Sequence, residues 1–267
     1  SASGSFSMLE DGYGMDLSFA SPGAEFKQLL SLVPAVYSNS FNELEATGRL
    51  NFDGELKGVY NESSMPAFHF NLAIDNGYFH YPDLPDAIKN VKVKLGVSNP
   101  DGVVENTRVD LETLHLEMGS NPLDASLVVE NLKDYRMKAS VDGQLNLAEI
   151  GRYYPMKGYE LRGLLSIKAD ASGIYDSLKK QVPLMDIGLS LENGYIKTPE
   201  VPAPVEKLVL LAGVTNKTGK LADTEIKVDN LSLQMDGQEF VAQMKLENPD
   251  NFKWDVRSSG SLDLEKL

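Results

Sequence analysis

The side chains best suited to proton transfer or metal binding in this 267-residue chain are its three histidines, His69, His80 and His115. A histidine can act as a general base or a metal ligand only when partner groups stand at defined positions around it. His69 and His115 instead alternate with apolar residues, in the polar phase of their segments. No G-x-S-x-G, H-E-x-x-H or P-loop pattern is present. We therefore interpret the histidines as surface residues and expect no catalytic residue, no metal and no cofactor.

Three further stretches could carry chemistry. SNPDG (98–102) is compatible with a calcium loop, but the related stretch TNKTG (215–219) has Thr218 in place of Asp101, so we predict a turn. DGYGMD (11–16) has two glycines without the strand–helix context of a nucleotide loop, and we interpret it as a hairpin turn. Tyr153 and Tyr154 could form a partner surface or pack a helix on a sheet.

Composition excludes several classes of protein. The net charge is −14, which argues against binding to a nucleic-acid backbone and against adsorption on an anionic membrane through basic residues. There is no cysteine, so disulfides and thiol catalysis are excluded. No apolar run approaches the roughly 18 residues of a transmembrane helix, and no signal peptide is visible.

The chain contains an internal duplication. LAIDNGYFHYPDLP (72–85) recurs as LSLENGYIKTPEVP (189–202), so that Gly77 corresponds to Gly194. Upstream, TGRLNFDGELKGVY (47–60) recurs as RGLLSIKADASGIY (162–175), and two residues are inserted between these matches in the second copy. We divide the chain into residues 1–46, the end of a preceding repeat with a connecting helix, a first repeat at 47–161 and a second at 162–267. The second repeat ends before its next helix, which predicts a longer repeat array.

The elements that position these residues are strands. Apolar and polar residues alternate with a period of two through matching segments of both copies, as in Phe68, Phe70, Leu72 and Ile74. Such alternation gives each strand one apolar and one polar face. Short strands joined by Gly, Asn, Asp and Pro indicate an antiparallel meander. The D-N-G and E-N-G triplets are predicted to end a strand at a corner, and the Pro-x-x-Pro that follows is predicted to break the sheet. A peptide-ligand role for these prolines is the alternative.

The apolar faces of these strands must be shielded from water, and the sequence predicts few helices that could do so. The candidates are residues 24–37, residues 147–154 and a turn near 174–180. Two solutions remain open from the residues alone. Two sheets could pack face to face around a dry core, or one sheet could curl into a trough whose apolar floor holds a ligand.

Several phrases together resemble the AsmA-like family of periplasmic envelope proteins of Gram-negative bacteria, which includes TamB-type proteins, and most of all its long Bacteroidetes forms. They are TGRLNFDGELKG (47–58), PAFHFNLAIDNGYFHYPDLPDAIKNVKVKLGVSNPDG (66–102) and LHLEMGSNPLDASLVVENL (114–132). The resemblance covers nearly the whole chain and both copies. It implies a mainly β fold of repeated antiparallel meander sheets, strongly curved into a β-groove or an open barrel-like form, with short helices between repeats.

The same resemblance implies a non-enzymatic segment that binds or conducts phospholipid, or another acyl-chain lipid, along an apolar groove in outer-membrane biogenesis. It also implies a periplasmic location and a full-length protein anchored in the inner membrane, with membrane contact only through regions outside this fragment. Envelope assembly proteins are a further expected partner class, and nucleic acid is not. The alternative function is a scaffolding β-module with a dry core. The predicted groove residues are Leu50, Phe52, Phe68, Phe70, Leu72, Ile74, Val93, Leu95, Leu116, Leu127, Ile167, Ile187, Leu189, Leu191, Leu210, Leu233 and Met244.

Overall fold

The structure is a computed structural model that describes residues 1–25, 45–80, 86–149, 157–201 and 203–261. The fold is mainly β, with 74% of residues in strands, which confirms the predicted fold class. The strands are β1 (Ala2–Leu9), β2 (Gly12–Glu25), β3 (Glu45–Tyr60), β4 (Ala67–His80), β5 (Ile88–Asn99), β6 (Arg108–Met118), β7 (Asn121–Asn131), β8 (Arg136–Asn146), β9 (Glu160–Ile174), β10 (Leu184–Lys197), β11 (Val205–Asn216), β12 (Glu225–Met235), β13 (Gln238–Glu247) and β14 (Lys253–Gly260).

The fourteen strands form one antiparallel meander in which each strand pairs with the next along the chain. The sheet is open, and β1 and β14 are its edge strands. The first copy supplies β3–β8 and the second supplies β9–β14. The two copies therefore contribute consecutive strands to one sheet rather than separate sheets.

Two compact units can be distinguished in the chain. Unit 1 comprises Ser1–Asp83, Ala87–Glu117 and Asp124–Lys138, and unit 2 comprises Leu84–Asp86, Met118–Leu123 and Ala139–Leu267. These limits differ from the repeat boundaries that the sequence suggests, because spatial contact and sequence repetition are different criteria. The repeat boundaries stay a prediction.

Little helix is present in the described residues. Two short 3₁₀ helices, Val104–Asn106 and Leu221–Asp223, occupy the same place in the two copies. Residues 147–149 are helical, at the start of the helix predicted for 147–154, while 150–156 lie outside the described residues. Most of the helix predicted for 24–37 and the Tyr153–Tyr154 pair also lie outside them. Residues 177–180 form a turn, as expected near 174–180.

The prediction that D-N-G and E-N-G end a strand is wrong. β4 continues through Asn76 to His80, and β10 continues through Asn193 to Lys197. Asn76 and Asn193 adopt left-handed φ values of 52° and 53°, and the pairing register shifts on both sides of them. A bulge lets a strand bend without losing its partner, so the motif makes a corner inside the strand.

At each bulge, the glycine after the asparagine packs closely against a second glycine on the neighbouring strand. A Cβ on Gly48 would lie 2.8 Å from the Cα of Gly77, and a Cβ on Gly163 would lie 2.8 Å from the Cα of Gly194. Neighbouring strands thus approach through paired glycines in both copies. In the second copy β10 ends at Lys197 and β11 starts at Val205, which confirms that the proline-containing stretch interrupts pairing there. Residues 81–85 of the first copy lie outside the described residues.

Buried apolar side chains are few and lie mainly beside these corners. In the described residues they are Ala46, Leu50, Ile74, Ala87, Val91, Leu191, Leu208 and Met235. Gly77 pairs with Val91 and Gly194 pairs with Leu208, which places the corner glycines within this set. The central parts of the strands lack such burial, although their apolar residues alternate regularly.

Candidate functional site

The predicted groove residues of the first copy share one face of β3, β4 and β5. Two rows cross these strands, Leu50–Ile74–Val93 and Phe52–Leu72–Leu95. Phe70 and Phe68 continue the same face toward the start of β4. Directly paired residues in an antiparallel sheet project to the same side, so these eight side chains are neighbours. We call this side of the sheet the apolar face.

The second copy repeats the arrangement on its own strands. Ile167, Leu189 and Ala212 form one row across β9, β10 and β11, and that row continues through Val228 and Met244. Ile187, Leu191 and Leu210 lie in adjacent rows, and Leu233 pairs with Phe240. In the first copy Leu116 and Leu127 lie on β6 and β7 and are half-buried.

Burial separates the predicted residues into two groups. Leu50, Ile74 and Leu191 are buried, with Leu50 at 0% exposure, and belong to the packing beside the corners. The remaining predicted residues are all partly exposed. A dry core of two packed sheets would bury most such side chains completely. Within each copy the apolar rows are therefore regular but incompletely covered.

An aromatic cluster on this face includes one residue that the sequence-based set omits. The Phe19 ring lies 5.1 Å from that of Phe52 and 5.9 Å from that of Phe70. Phe19 and Phe70 both pair with Gly54, and a Cβ on that glycine would lie within 2.6 Å of each ring. Because glycine has no side chain, the rings from β2 and β4 can contact each other above Gly54. The alternation Met15–Leu17–Phe19 was the signal available in the sequence.

A second omitted group lies on β14. Val256 pairs with Met244, and Trp254 pairs with Leu246, so both continue the apolar rows to the edge strand. Both side chains are exposed. Their alternation with Lys253, Asp255 and Arg257 is again the period-two signal of a strand.

The opposite side of the sheet is polar, and the histidines belong to it or to its margins. His69 is exposed and lies 2.8 Å from the amide nitrogen of Asn71. The His115 side chain is 23% exposed and lies 2.8 Å from the Asp124 carboxylate. His80 lies 3.3 Å from the Glu45 carboxylate. These contacts pair the histidines with surface polar groups.

Most of the titratable groups with shifted pKa values belong to ion pairs. Lys245 lies between Glu247 and Glu225, at 2.6 Å and 2.9 Å. The hydrogen bond from Lys245 is the main cause that lowers the pKa of both carboxyls, and the two carboxylates raise the pKa of Lys245. Hydrogen bonds to Asp110 and Glu130 likewise raise the pKa of Arg108. Such networks are ordinary on a solvated strand surface.

Surface depressions are found on the polar side. One is lined by Asn71, Ala73, Lys94 and Gly96, where small residues leave room between longer side chains. Lys94 is already paired with Glu112 there, at 2.5 Å. Within the described ranges, no group of three or more His, Asp or Glu side chains is placed to hold a metal ion.

The loop predicted as a turn at SNPDG is organised by a buried asparagine. The side-chain nitrogen of Asn99 donates to the Val103 carbonyl at 2.7 Å and to the Thr107 hydroxyl at 2.9 Å. Its oxygen accepts the backbone N–H groups of Asp101 and Gly102. This geometry confirms the turn. The DGYGMD prediction is also confirmed, because β1 and β2 form a hairpin whose turn lies at residues 10–11.

The second copy builds the same loop. Asn216 donates to the Lys220 carbonyl at 2.7 Å and to the Thr224 hydroxyl at 2.8 Å, and accepts from Thr218 and Gly219. Both asparagines are buried at the end of the apolar rows, where Asn99 pairs with Phe68. All polar atoms of these two amides are therefore supplied with partners, which leaves the loop backbone well defined.

Among the described residues, no helix is both long enough and apolar enough to span a membrane. Comparisons with family models, with curated proteins and with solved structures found no match to the chain.

Proposed function

We propose that this chain is a non-enzymatic lipid-binding segment whose apolar face holds the acyl chains of phospholipid or a related lipid. The observation that carries the proposal is the partial exposure of the predicted residues. Their side chains form continuous rows across neighbouring strands, yet most of them are not covered by other parts of the described chain.

The energetics of such a face suit a chain-like hydrocarbon ligand. Burying one methylene contributes about 0.8 kcal/mol, and the contribution grows with each carbon that leaves water. Apolar contact is non-directional, so a strip of Leu, Ile and Phe side chains needs no specific polar group to retain an acyl chain. A lipid head group would remain in water beyond the rows.

The apolar face also supports a passive role. Most of the polar groups with shifted pKa values belong to ion pairs such as Lys245–Glu225. Each of the two copies carries apolar rows of this kind, so each offers an acyl chain equivalent contacts. Lipid conduction requires such repeated contacts.

The AsmA-like resemblance supplies the cellular setting of the proposal. In that setting the chain is part of a periplasmic envelope protein, anchored in the inner membrane through another region, and serves outer-membrane biogenesis. Envelope assembly proteins are its proposed protein partners.

A lipid extraction experiment tests the proposal. The protein is purified without detergent, examined by native mass spectrometry, and extracted with organic solvent for lipid analysis. We expect a ladder of masses separated by phospholipid. A folded protein with a single lipid-free mass, which also takes up no lipid from vesicles, would refute lipid binding and favour the scaffolding alternative.

A pair of variants locates the binding surface. Leu189→Asp places a charge in the middle of an apolar row, and Ser190→Asp places the same charge on the neighbouring position of the opposite face. We expect Leu189→Asp to reduce bound lipid by about tenfold, the factor that corresponds to 1.4 kcal/mol. Ser190→Asp should retain the lipid. Because Leu189 is only half-buried, both variants should still unfold cooperatively, as circular dichroism would show.

A further inference from the structure

Three loops lie at one end of the second copy, where strands β9, β11 and β13 finish. We name this end the basic tip and define it as the turn Asp176–Gln181, the loop Lys217–Lys220 and the loop 248–252. We propose that the basic tip docks on the surface of a phospholipid membrane, with apolar side chains entering the interface and lysines contacting lipid phosphates. All of these residues belong to unit 2.

The turn presents a leucine to solvent on a fixed backbone. Leu178 is 96% exposed, the highest value among the large apolar side chains of the described residues. The Asp176 carboxylate accepts the backbone N–H groups of Leu178 and Lys179, both at 3.0 Å. Asp176 and Gln181 also exchange two backbone hydrogen bonds. A leucine held outward in this way keeps its apolar surface available to an external partner.

Backbone contacts join the turn to the neighbouring loop. The Val182 N–H donates to the Gly219 carbonyl, and the Leu221 N–H donates to the Lys180 carbonyl, both at 2.9 Å. The Asn216 amide fixes the remainder of that loop. The two segments therefore act as one surface.

An ion pair joins the third loop, 248–252, to the turn. The Lys180 ammonium lies 2.6 Å and 2.7 Å from the two carboxylate oxygens of Asp250. The same loop carries Phe252, whose side chain is 70% exposed. A leucine and a phenylalanine are thus displayed on connected loops. Exposed apolar groups flanked by lysines are typical of segments that lie at a membrane interface.

Two lysines of the tip are available for an external anion. Lys217 and Lys220 are exposed, and in the part of the chain that the structure describes neither ammonium forms an ion pair with a carboxylate. Lys179 and Lys180 are already paired with Asp176 and Asp250. A lysine near an anionic lipid surface contributes about 1 kcal/mol, so charge selects the surface and apolar insertion adds to it.

The first copy provides an internal comparison. Its equivalent turn is NESSM (61–65), with Glu62, and its equivalent of Lys217–Lys220 is 100–103, with Asp101. Neither segment contains lysine or arginine, although the loop backbone is held by Asn99 through the same four hydrogen bonds. The scaffold is shared, and the surface chemistry of the turn and of the lysine loop differs between the copies. The third loop of the first copy, 131–135, carries Lys133 and the exposed Tyr135, so the assignment of docking to the second copy rests on Leu178 and on the lysines at 217 and 220.

The overall charge of −14 does not oppose this local contact. Charges separated by more than about 10 Å are largely screened at 0.1 M salt, so the lysines nearest the lipid determine the attraction. The proposal departs from the sequence-based expectation that membrane contact lies only outside this fragment. It does not depend on the apolar face holding a lipid.

Vesicle flotation tests the proposal with the purified 267-residue chain. The probes are vesicles of phosphatidylcholine and vesicles of equal parts phosphatidylcholine and phosphatidylglycerol. We expect binding to both, stronger with phosphatidylglycerol and weaker at high salt. Leu178→Ser should lower binding to both vesicles by about tenfold, corresponding to 1.4 kcal/mol. Leu211→Ser, at another exposed leucine within strand β11, is the matched control and should bind as the wild type.

The charge contribution has its own matched pair. Lys217→Glu with Lys220→Glu should abolish the preference for phosphatidylglycerol. Lys197→Glu with Lys207→Glu makes the same charge change on exposed lysines at the opposite strand ends of the same unit and should retain the preference.

Three results would overturn docking by the tip. They are a wild type that does not float with either vesicle, a Leu178→Ser variant that floats like the wild type, and equal losses in the two lysine pairs. Leu189→Asp should float normally, which separates this outcome from the fate of the lipid-binding proposal. Circular dichroism of each variant confirms that the sheet is intact.

Discussion

Replacement of Asn216 by alanine would test how the end loops of the sheet are held. Asn216 is buried, and its side-chain amide makes four hydrogen bonds at 2.7–3.1 Å. Alanine removes the amide and adds no new partner. The Thr224 hydroxyl, which is buried, loses its donor, and two backbone N–H groups lose their acceptor.

The magnitude follows from these orphaned groups. A buried polar group that loses its hydrogen-bond partner costs about 1–3 kcal/mol, and a group that can bond to water instead costs less. Since Thr224 is buried and the loop groups are partly exposed, we expect the free energy of unfolding to fall by about 2–4 kcal/mol. Asn99→Ala should have the same effect, because its network is equivalent.

The assay is urea unfolding followed by circular dichroism. Thr218→Ala is the matched control in the same loop. The Thr218 hydroxyl donates to the exposed Asp223 and accepts the exposed Lys220 N–H at 3.3 Å, so its loss should cost less than about 1 kcal/mol. If Asn216→Ala is no more destabilising than Thr218→Ala, the buried network does not stabilise the loop and the reasoning fails. Asn216→Asp keeps the acceptor but turns a carboxylate oxygen toward the Lys220 carbonyl, so its stability relative to wild type should improve as the pH falls.

Two further predictions concern the corner and the surface ion pairs. Gly194→Ala should lower the free energy of unfolding by about 2 kcal/mol or more, because the new Cβ would lie 2.9 Å from the backbone of β11. The control is Gly188→Ala on the same strand, whose new Cβ meets nothing closer than 3.9 Å and which should be neutral. Equal urea midpoints for the two variants would contradict this prediction. Lys245→Met should lower the Tm at neutral pH. Since Lys245 depresses the pKa values of Glu225 and Glu247, their contribution is present above the unfolded glutamate pKa of about 4.3 and is lost below it, so the Tm difference should vanish in acid. A difference that persists at low pH would exclude this linkage.

Much of the fold could be predicted from the sequence because β structure has a simple local signature. The alternation of Phe68, Phe70, Leu72 and Ile74 places these residues on one face of any strand they form. The duplication then assigns the same face to the second copy. The apolar phases predicted for β3–β5 and β9–β11 fall in shared rows in the observed pairing, whereas the register itself was not predicted.

The corners show where local signals were insufficient. An Asn-Gly pair is compatible with a strand end and with a bulge, because both accept a left-handed residue. Only the neighbouring strands, which keep pairing beyond Asn76 and Asn193, distinguish them. The aromatic cluster was missed for a similar reason, since the meeting of Phe19 and Phe70 over Gly54 depends on three strands in register.

The sequence by itself determined the strands, their apolar phase and the repetition, because these depend on residue types at short and regular spacing. Tertiary structure decided how far each apolar side chain is covered, since Leu50 and Phe52 belong to the same alternation yet only Leu50 is buried. It also decided which loops meet at the basic tip. Leu178, Lys217 and Phe252 are distant in sequence, and hydrogen bonds and an ion pair between their loops bring them to one surface. Burial and long-range contact are properties of the assembled sheet, and no local pattern encodes them.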